Sequence, residues 1–167
     1  MKKIMELLQN MKAKNEKKDN KGFSLVELII VIAIMAILVG IVGTQVIPYL
    51  GKSKASKDQQ VLNSFSTAAV TAYSENAESM PTTGTLTVKV YGSNAADSAE
   101  AKLAEAIQTN TGYKTKAELV KQFASDAKTM TEDIIVKIDI DNHDVTTSID
   151  YGKSTPKYKV TDVKATL

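Results

Sequence analysis

The strongest constraint on this chain is a long apolar run that directly follows a polar, lysine-rich segment. Residues 28–43 are apolar without exception, and no charged residue occurs from Leu28 to Gly51. A helix needs about 20 predominantly apolar residues to cross a bilayer. The sequence therefore predicts one membrane-spanning helix. Beyond Lys52, polar and apolar residues alternate as they do in a soluble domain.

The order of the first two segments differs from that of a secretory signal peptide. In such a peptide the small residue at the cleavage site follows the apolar run, whereas here Gly22 precedes it. A cut after Gly22 would leave the apolar run on the mature chain. The excess of lysine in residues 1–22 predicts a cytoplasmic N-terminus, although Lys52, Lys54 and Lys57 follow the run and weaken that bias.

Glu27 is a carboxylate at the edge of the apolar run. A charge in apolar surroundings is costly unless it is paired. From its position alone, Glu27 is expected at the membrane interface with its carboxylate in water.

The segment from Lys21 to Ile29 resembles the prepilin signature of type IV pilins and pseudopilins. That signature runs from a basic residue through Gly, an aromatic residue, Ser or Thr, an apolar pair and Glu into a long apolar stretch. The resemblance covers residues 21–50 well. It implies cleavage between Gly22 and Phe23 by a prepilin peptidase, N-methylation of Phe23, and an assembly salt bridge from Glu27 to a neighbour's Phe23 amine.

The chain departs from that family in two respects. Thr44 stands where many members have a helix-bending proline, and Pro48 comes one turn later. Gly40, Gly43 and Pro48 predict a kink or a melted stretch, with a smoothly bent continuous helix as the alternative. The chain also has no cysteine, which excludes the C-terminal disulfide of many Gram-negative pilins. A cysteine-less composition rich in lysine is associated with Gram-positive members.

Periodicity predicts an α+β fold in which a long N-terminal helix packs by its second half on a small antiparallel sheet. The helix should extend to about Ala77, with an apolar stripe from Val61 to Tyr73. Further helices are predicted at Asp97–Thr109 and Thr115–Thr129, and a capping box begins the second of them. Strands are predicted at Thr85–Tyr91, Ile134–Ile140, Val145–Tyr151 and Tyr158–Val163. The predicted segments are a leader at 1–22, an apolar helix at 23–50, an amphipathic continuation at 51–80 and a globular α+β head at 81–167.

Little in the head indicates catalysis. His143 is the only histidine, so neither a nucleophile–base pair nor a metal cluster is predicted, and no enzyme activity or cofactor is expected. The acidic residues Asp139, Asp141, Asp144 and Asp150 are spaced partly like a calcium loop, but the obligatory glycine is missing and the flanks are strand-like. A hairpin turn is therefore favoured over calcium. Lysines interspersed with acids and the lack of arginine give no expectation of sequence-specific nucleic-acid binding.

Three functions follow as expectations. The first is a self-polymerising subunit of a type IV pilus serving adhesion, twitching motility or DNA uptake, with a peptidase/methyltransferase, an assembly ATPase and a platform protein as partners. The second is a pseudopilin of a type II secretion or competence system. The third is a signal-anchored membrane protein that does not polymerise. The first implies a single-pass protein in the lipid of the cytoplasmic membrane that later joins an extracellular filament.

Overall fold

The computed structural model describes Met5, Glu6 and residues 24–167. Gly22 and Phe23, the predicted processing residues, lie outside this part of the chain, as does most of the predicted leader. The chain forms two compact units, Met1–Gln45 and Val46–Leu167. The second unit thus includes residues 46–50, which the sequence analysis placed with the apolar helix.

Helix α1, Leu25–Ile41, is the apolar part of the first unit. None of its residues is buried, and its large apolar side chains are 44–73% exposed. Helical structure continues from Leu25 to Glu75, and this is the one stretch of the described chain that is long and apolar enough to cross a membrane.

A π-helical segment, Val42–Val46, separates α1 from helix α2, Ile47–Glu75. Pro48 lies in the first turn of α2 and has no N–H to donate to a preceding carbonyl. The Thr44 hydroxyl donates to the Gly40 carbonyl at 2.9 Å, a side-chain bond that competes with the regular backbone pattern. The departure from α-helical geometry therefore falls between Gly40 and Pro48, and the backbone there remains helical.

Four strands form an antiparallel sheet in the order β1-β2-β3-β4. Their bounds are β1 Thr85–Lys89, β2 Asp133–Asp139, β3 Asp144–Asp150 and β4 Val163–Thr166. Alternate residues of β1, β2 and β3 are buried, as expected for a sheet with one face on a core. The predicted small antiparallel sheet is confirmed, and β1 pairs with β2 at one edge of it.

Helix α2 covers the buried face of the sheet together with helix α3, Ala99–Thr111. The predicted stripe of α2 is confirmed, since Leu62, Phe65, Ala68, Ala69 and Ala72 are all buried. The Phe65 ring stacks on Tyr113 at 6.0 Å and meets Tyr91 edge-on at 6.4 Å. The expected α+β architecture is confirmed: a long N-terminal helix packs by its second half on a small antiparallel sheet.

The predicted helix over Thr115–Thr129 is wrong as a continuous element. Its capping box is present, since the Glu118 N–H donates to the Thr115 hydroxyl and the Thr115 N–H donates to the Glu118 carboxylate. The helix nevertheless divides into α4, Lys116–Val120, and α5, Ala127–Met130. The backbone amides of Ala124 and Ser125, which a continuous helix would use internally, donate instead to Asp58 of α2.

The predicted strand Tyr158–Val163 is also wrong, because strand pairing begins only at Val163. Other partners hold the preceding residues. The Lys157 N–H donates to the Asp126 carboxylate at 3.0 Å, and the Val160 N–H donates to the Tyr151 hydroxyl at 3.2 Å. The Val160 N–H, which lies inside the predicted strand, thus bonds to a side chain, and β4 is short.

Candidate functional site

The candidate site is the beginning of α1, where Glu27 occupies the third helical position. Ser24 is the N-cap residue in an extended conformation, with φ −63° and ψ 141°. Its backbone N–H donates to Oε2 of Glu27 at 2.8 Å. A carboxylate at this point satisfies an amide that has no partner inside the helix and interacts favourably with the helix dipole. The local structure therefore fixes the Glu27 carboxylate at the N-terminal end of the apolar helix.

This geometry leaves the carboxylate able to bind a second group. Among the described residues only Ser24 donates a hydrogen bond to Glu27, through Oε2, and the side chain is exposed. A carboxylate has about four lone-pair positions, so one amide leaves capacity for an ammonium group. The sequence identified Glu27 but not its bond to Ser24. The Ser-x-x-Glu spacing of a capping box was the signal that could have revealed it.

The surface of α1 is the second part of the site. Leu, Ile, Val, Ala and Met surround the helix on every side, and all of them are exposed within this chain. A helix that is apolar all round is stable only inside a larger assembly or a membrane. The helix therefore requires apolar surroundings that the described residues of one copy do not provide.

The structure does not bring the four acidic residues of the calcium candidate together. Asp139 and Asp144 are paired beside the β2–β3 turn, whereas Asp150 lies at the opposite end of β3, paired with Asp133. A seven-residue strand separates its ends by about 20 Å. Across residues 24–167, no group of three or more His, Asp or Glu side chains is arranged to hold a metal ion.

The acidic residues near the turn have local roles instead. Asp139 accepts hydrogen bonds from the side chain and backbone of Asn142, and these bonds lower the pKa of Asp139. Both oxygens of Asp141 lie 3.1–3.2 Å from the Gly84 N–H, which ties the turn to the residue before β1. His143 adopts a positive φ of 56° in this turn. The arrangement is that of a self-stabilised hairpin turn.

Asp58 is an ionisable residue that the sequence analysis missed. It is fully buried on α2. Its Oδ1 accepts the Ala124 N–H at 2.7 Å and its Oδ2 accepts the Ser125 N–H at 2.8 Å. No local sequence pattern distinguishes Asp58 from the exposed polar residues of an amphipathic helix, because its hydrogen-bond partners are more than sixty positions away. Its role is to hold the loop between α4 and α5 against α2.

Comparison with known proteins bears on the first part of the chain. Residues 17–43 match the family described as the prokaryotic N-terminal methylation motif. The match includes Gly22, Phe23, Glu27 and the whole apolar run, residues 28–43. With the long apolar helix and the absence of cysteine, it is consistent with a type IV pilin-like prepilin. Comparison with curated proteins and with solved structures gives no significant match.

Proposed function

We propose that this chain, a type IV pilin-like or pseudopilin precursor by its methylation motif, is the structural subunit of a type IV pilus filament. A prepilin peptidase cuts after Gly22 and Phe23 is methylated. The subunit then waits in the cytoplasmic membrane with its N-terminal end on the cytoplasmic side. An assembly ATPase and a platform protein move it into a homopolymer outside the cell. The role is structural rather than catalytic.

The observation that carries this proposal is the apolar surface of α1, which no other described residue covers, with Glu27 at its N-terminal end. The helix has 17 residues and is therefore about 25 Å long. A bundle of such helices would supply apolar neighbours on every side. The freed amine at Phe23 of one subunit would neutralise Glu27 of the next, which removes the cost of burying an isolated carboxylate.

The pseudopilin alternative uses the same features, because the motif and the apolar helix serve either kind of filament. Glu27 favours polymerisation in both. Filament length separates the two: a pilus subunit forms long fibres on the cell surface, whereas a pseudopilin at its natural expression level does not. The non-polymerising alternative predicts instead that the chain keeps its leader.

The first test is the mass of the intact protein from its native cell. We expect a chain that begins at Phe23 and carries one additional methyl group. A chain that still begins near Met1 in cells with an active peptidase would contradict prepilin processing and favour a plain membrane anchor.

The second test separates the charge of Glu27 from its helix-capping role. Glu27→Gln keeps an oxygen that can accept the Ser24 N–H but removes the negative charge, whereas Glu27→Ala removes both. With no wild-type subunit present, both variants should still be cleaved, and filament yield should fall about tenfold or more through loss of the ion pair. Glu78→Gln, an exposed residue beyond α2, is the matched control. Normal yield from Glu27→Gln would exclude the proposed salt bridge.

A further inference from the structure

The start of α2 presents an apolar and basic surface that no part of the described chain covers. Ile47, Tyr49 and Leu50 are 57%, 75% and 54% exposed. Lys52 and Lys54 follow immediately and are exposed as well. A tyrosine and lysines beside exposed aliphatic side chains form the combination typical of a membrane–water interface.

The loop before β4 brings further lysines to the same place. The ring of Tyr158 lies directly on Gly51, so closely that a Cβ on this glycine would overlap the ring. Lys159 lines a shallow cavity of about 300 Å³ together with Lys52, and Lys128 lines an adjacent cavity of about 350 Å³ together with Lys54. Lys52, Lys54, Lys128 and Lys159 are called the basic collar below.

The charge of the basic collar is only partly balanced by its acidic neighbours. Asp58 is buried with both oxygens engaged by backbone amides. Asp126 is half-buried, accepts the Lys157 N–H and lines the same cavity as Lys54 and Lys128. Asp162 is the exposed acid close to Lys159 in sequence. Within the described residues, no ammonium group of the collar donates a hydrogen bond. The four lysines thus exceed the nearby exposed carboxylates.

We infer that the basic collar holds this end of the compact unit on the headgroup phosphates of anionic lipids while the subunit is stored in the membrane. The inference rests on the membrane storage in the proposed function. Chain connectivity supports it, because Ile47 is only a few residues beyond the uninterrupted apolar run that ends at Gly43. At physiological salt, a lysine is attracted to an anionic surface when it lies within roughly 8 Å of it.

This docking has a consequence for assembly. Each subunit leaves the bilayer only when its lysines are released from the headgroups, so lipid charge and ionic strength set part of the resistance to extraction. The exposed Tyr49 and Leu50 would leave the interface in the same step.

The test is lysine accessibility in lipid nanodiscs that hold one copy of the full chain. Discs of phosphatidylcholine are compared with discs containing about one third phosphatidylglycerol, and a water-soluble amine-reactive reagent is quantified at each lysine by mass spectrometry. We expect labelling of Lys52, Lys54 and Lys159 to fall about threefold in the anionic discs and to recover at about 0.5 M salt. Lys89 and Lys137, exposed on β1 and β2, should not change.

Matched variants check that the collar itself is responsible. Hydrogen exchange of the amides at the start of α2 should be slowed by anionic lipid in the wild type and in the control K89Q/K137Q/K164Q. The slowing should disappear in K52Q/K54Q/K159Q, which removes the same number of charges from the collar.

Three outcomes would overturn the inference. The first is equal labelling of the collar in both kinds of disc. The second is protection in phosphatidylcholine discs on addition of inorganic phosphate, which would indicate a site for the free anion. The third is protection that is insensitive to salt and lipid charge, which would indicate a cover other than anionic headgroups. A subunit that never polymerises would still show lipid-dependent protection, so failure of the filament proposal is a separate result.

Discussion

Replacing Asp58 by alanine should destabilise the compact unit Val46–Leu167 substantially. The Asp58 carboxylate is fully buried and accepts two backbone amides at 2.7 and 2.8 Å. A hydrogen bond to a charged group contributes about 1.5–3 kcal/mol. Ala124 and Ser125 are half-buried and can regain some hydration, so the lower end applies to each bond. The expected loss is about 3 kcal/mol, or roughly 10 °C in Tm for a unit of this size.

The assay is urea unfolding of the full chain in detergent micelles, followed by near-ultraviolet circular dichroism of tyrosine. All six tyrosines lie between Tyr49 and Tyr158, so the signal reports the compact unit and not the apolar helix. Asp58→Asn keeps one acceptor oxygen and should lose about half as much stability. Asp162→Ala, which removes an exposed carboxylate, should stay within about 0.5 kcal/mol of the wild type.

The same variant tests why the helix predicted over Thr115–Thr129 is broken. Without Asp58, the Ala124 and Ser125 amides are free to join a continuous helix between α4 and α5, and far-ultraviolet helicity should rise slightly. This gain would offset part of the loss in stability. If Asp58→Ala unfolds at the wild-type urea concentration and gains no helicity, the two hydrogen bonds neither stabilise the unit nor divide the helix, and the reasoning fails.

Two further predictions concern aromatic residues of the same unit. Gly51→Ala should lower the free energy of unfolding by about 1–3 kcal/mol, because the new methyl group displaces the Tyr158 ring. In a Tyr158→Ala background the same change should be neutral or stabilising, because Ala favours a helix over Gly by about 1 kcal/mol. An equal loss in both backgrounds would exclude the contact. Burial, with the nearby Asp133 charge, raises the pKa of Tyr91 above its ordinary value. The stabilisation from the buried, protonated Tyr91 is therefore present below about pH 10 and is lost as pH rises further. The reason is that the Tyr91 phenol of the unfolded chain releases its proton at a lower pH than that of the folded chain. Tyr91→Phe should reduce this alkaline loss of stability in urea unfolding between about pH 9 and 12, and the exposed Tyr49→Phe should not.

Prediction from sequence succeeded where the signal was local and repeated. The alternation in β1, β2 and β3, the stripe on α2 and the Thr115–Glu118 capping box all arise from neighbours within a few positions, and each is present. For the candidate site, Glu27 was identified by its place in a linear motif. The strand-like flanks favoured a hairpin turn over a calcium site, and in the structure Asp150 lies at the far end of β3 from Asp139.

The sequence by itself therefore determined the apolar helix, the prepilin-like motif around Gly22, Phe23 and Glu27, and the α+β class of the head. These depend on composition, short spacings and period, which each segment carries alone. Only the tertiary structure decided where α4 ends, where β4 begins and which lysines lie near one another. Asp58 accepts a hydrogen bond from Ala124, and Gly51 packs against Tyr158, although each pair is more than sixty residues apart in sequence. Such contacts form only after the core has assembled, and a buried carboxylate or a closely packed ring then outweighs the weak local preference for helix or strand.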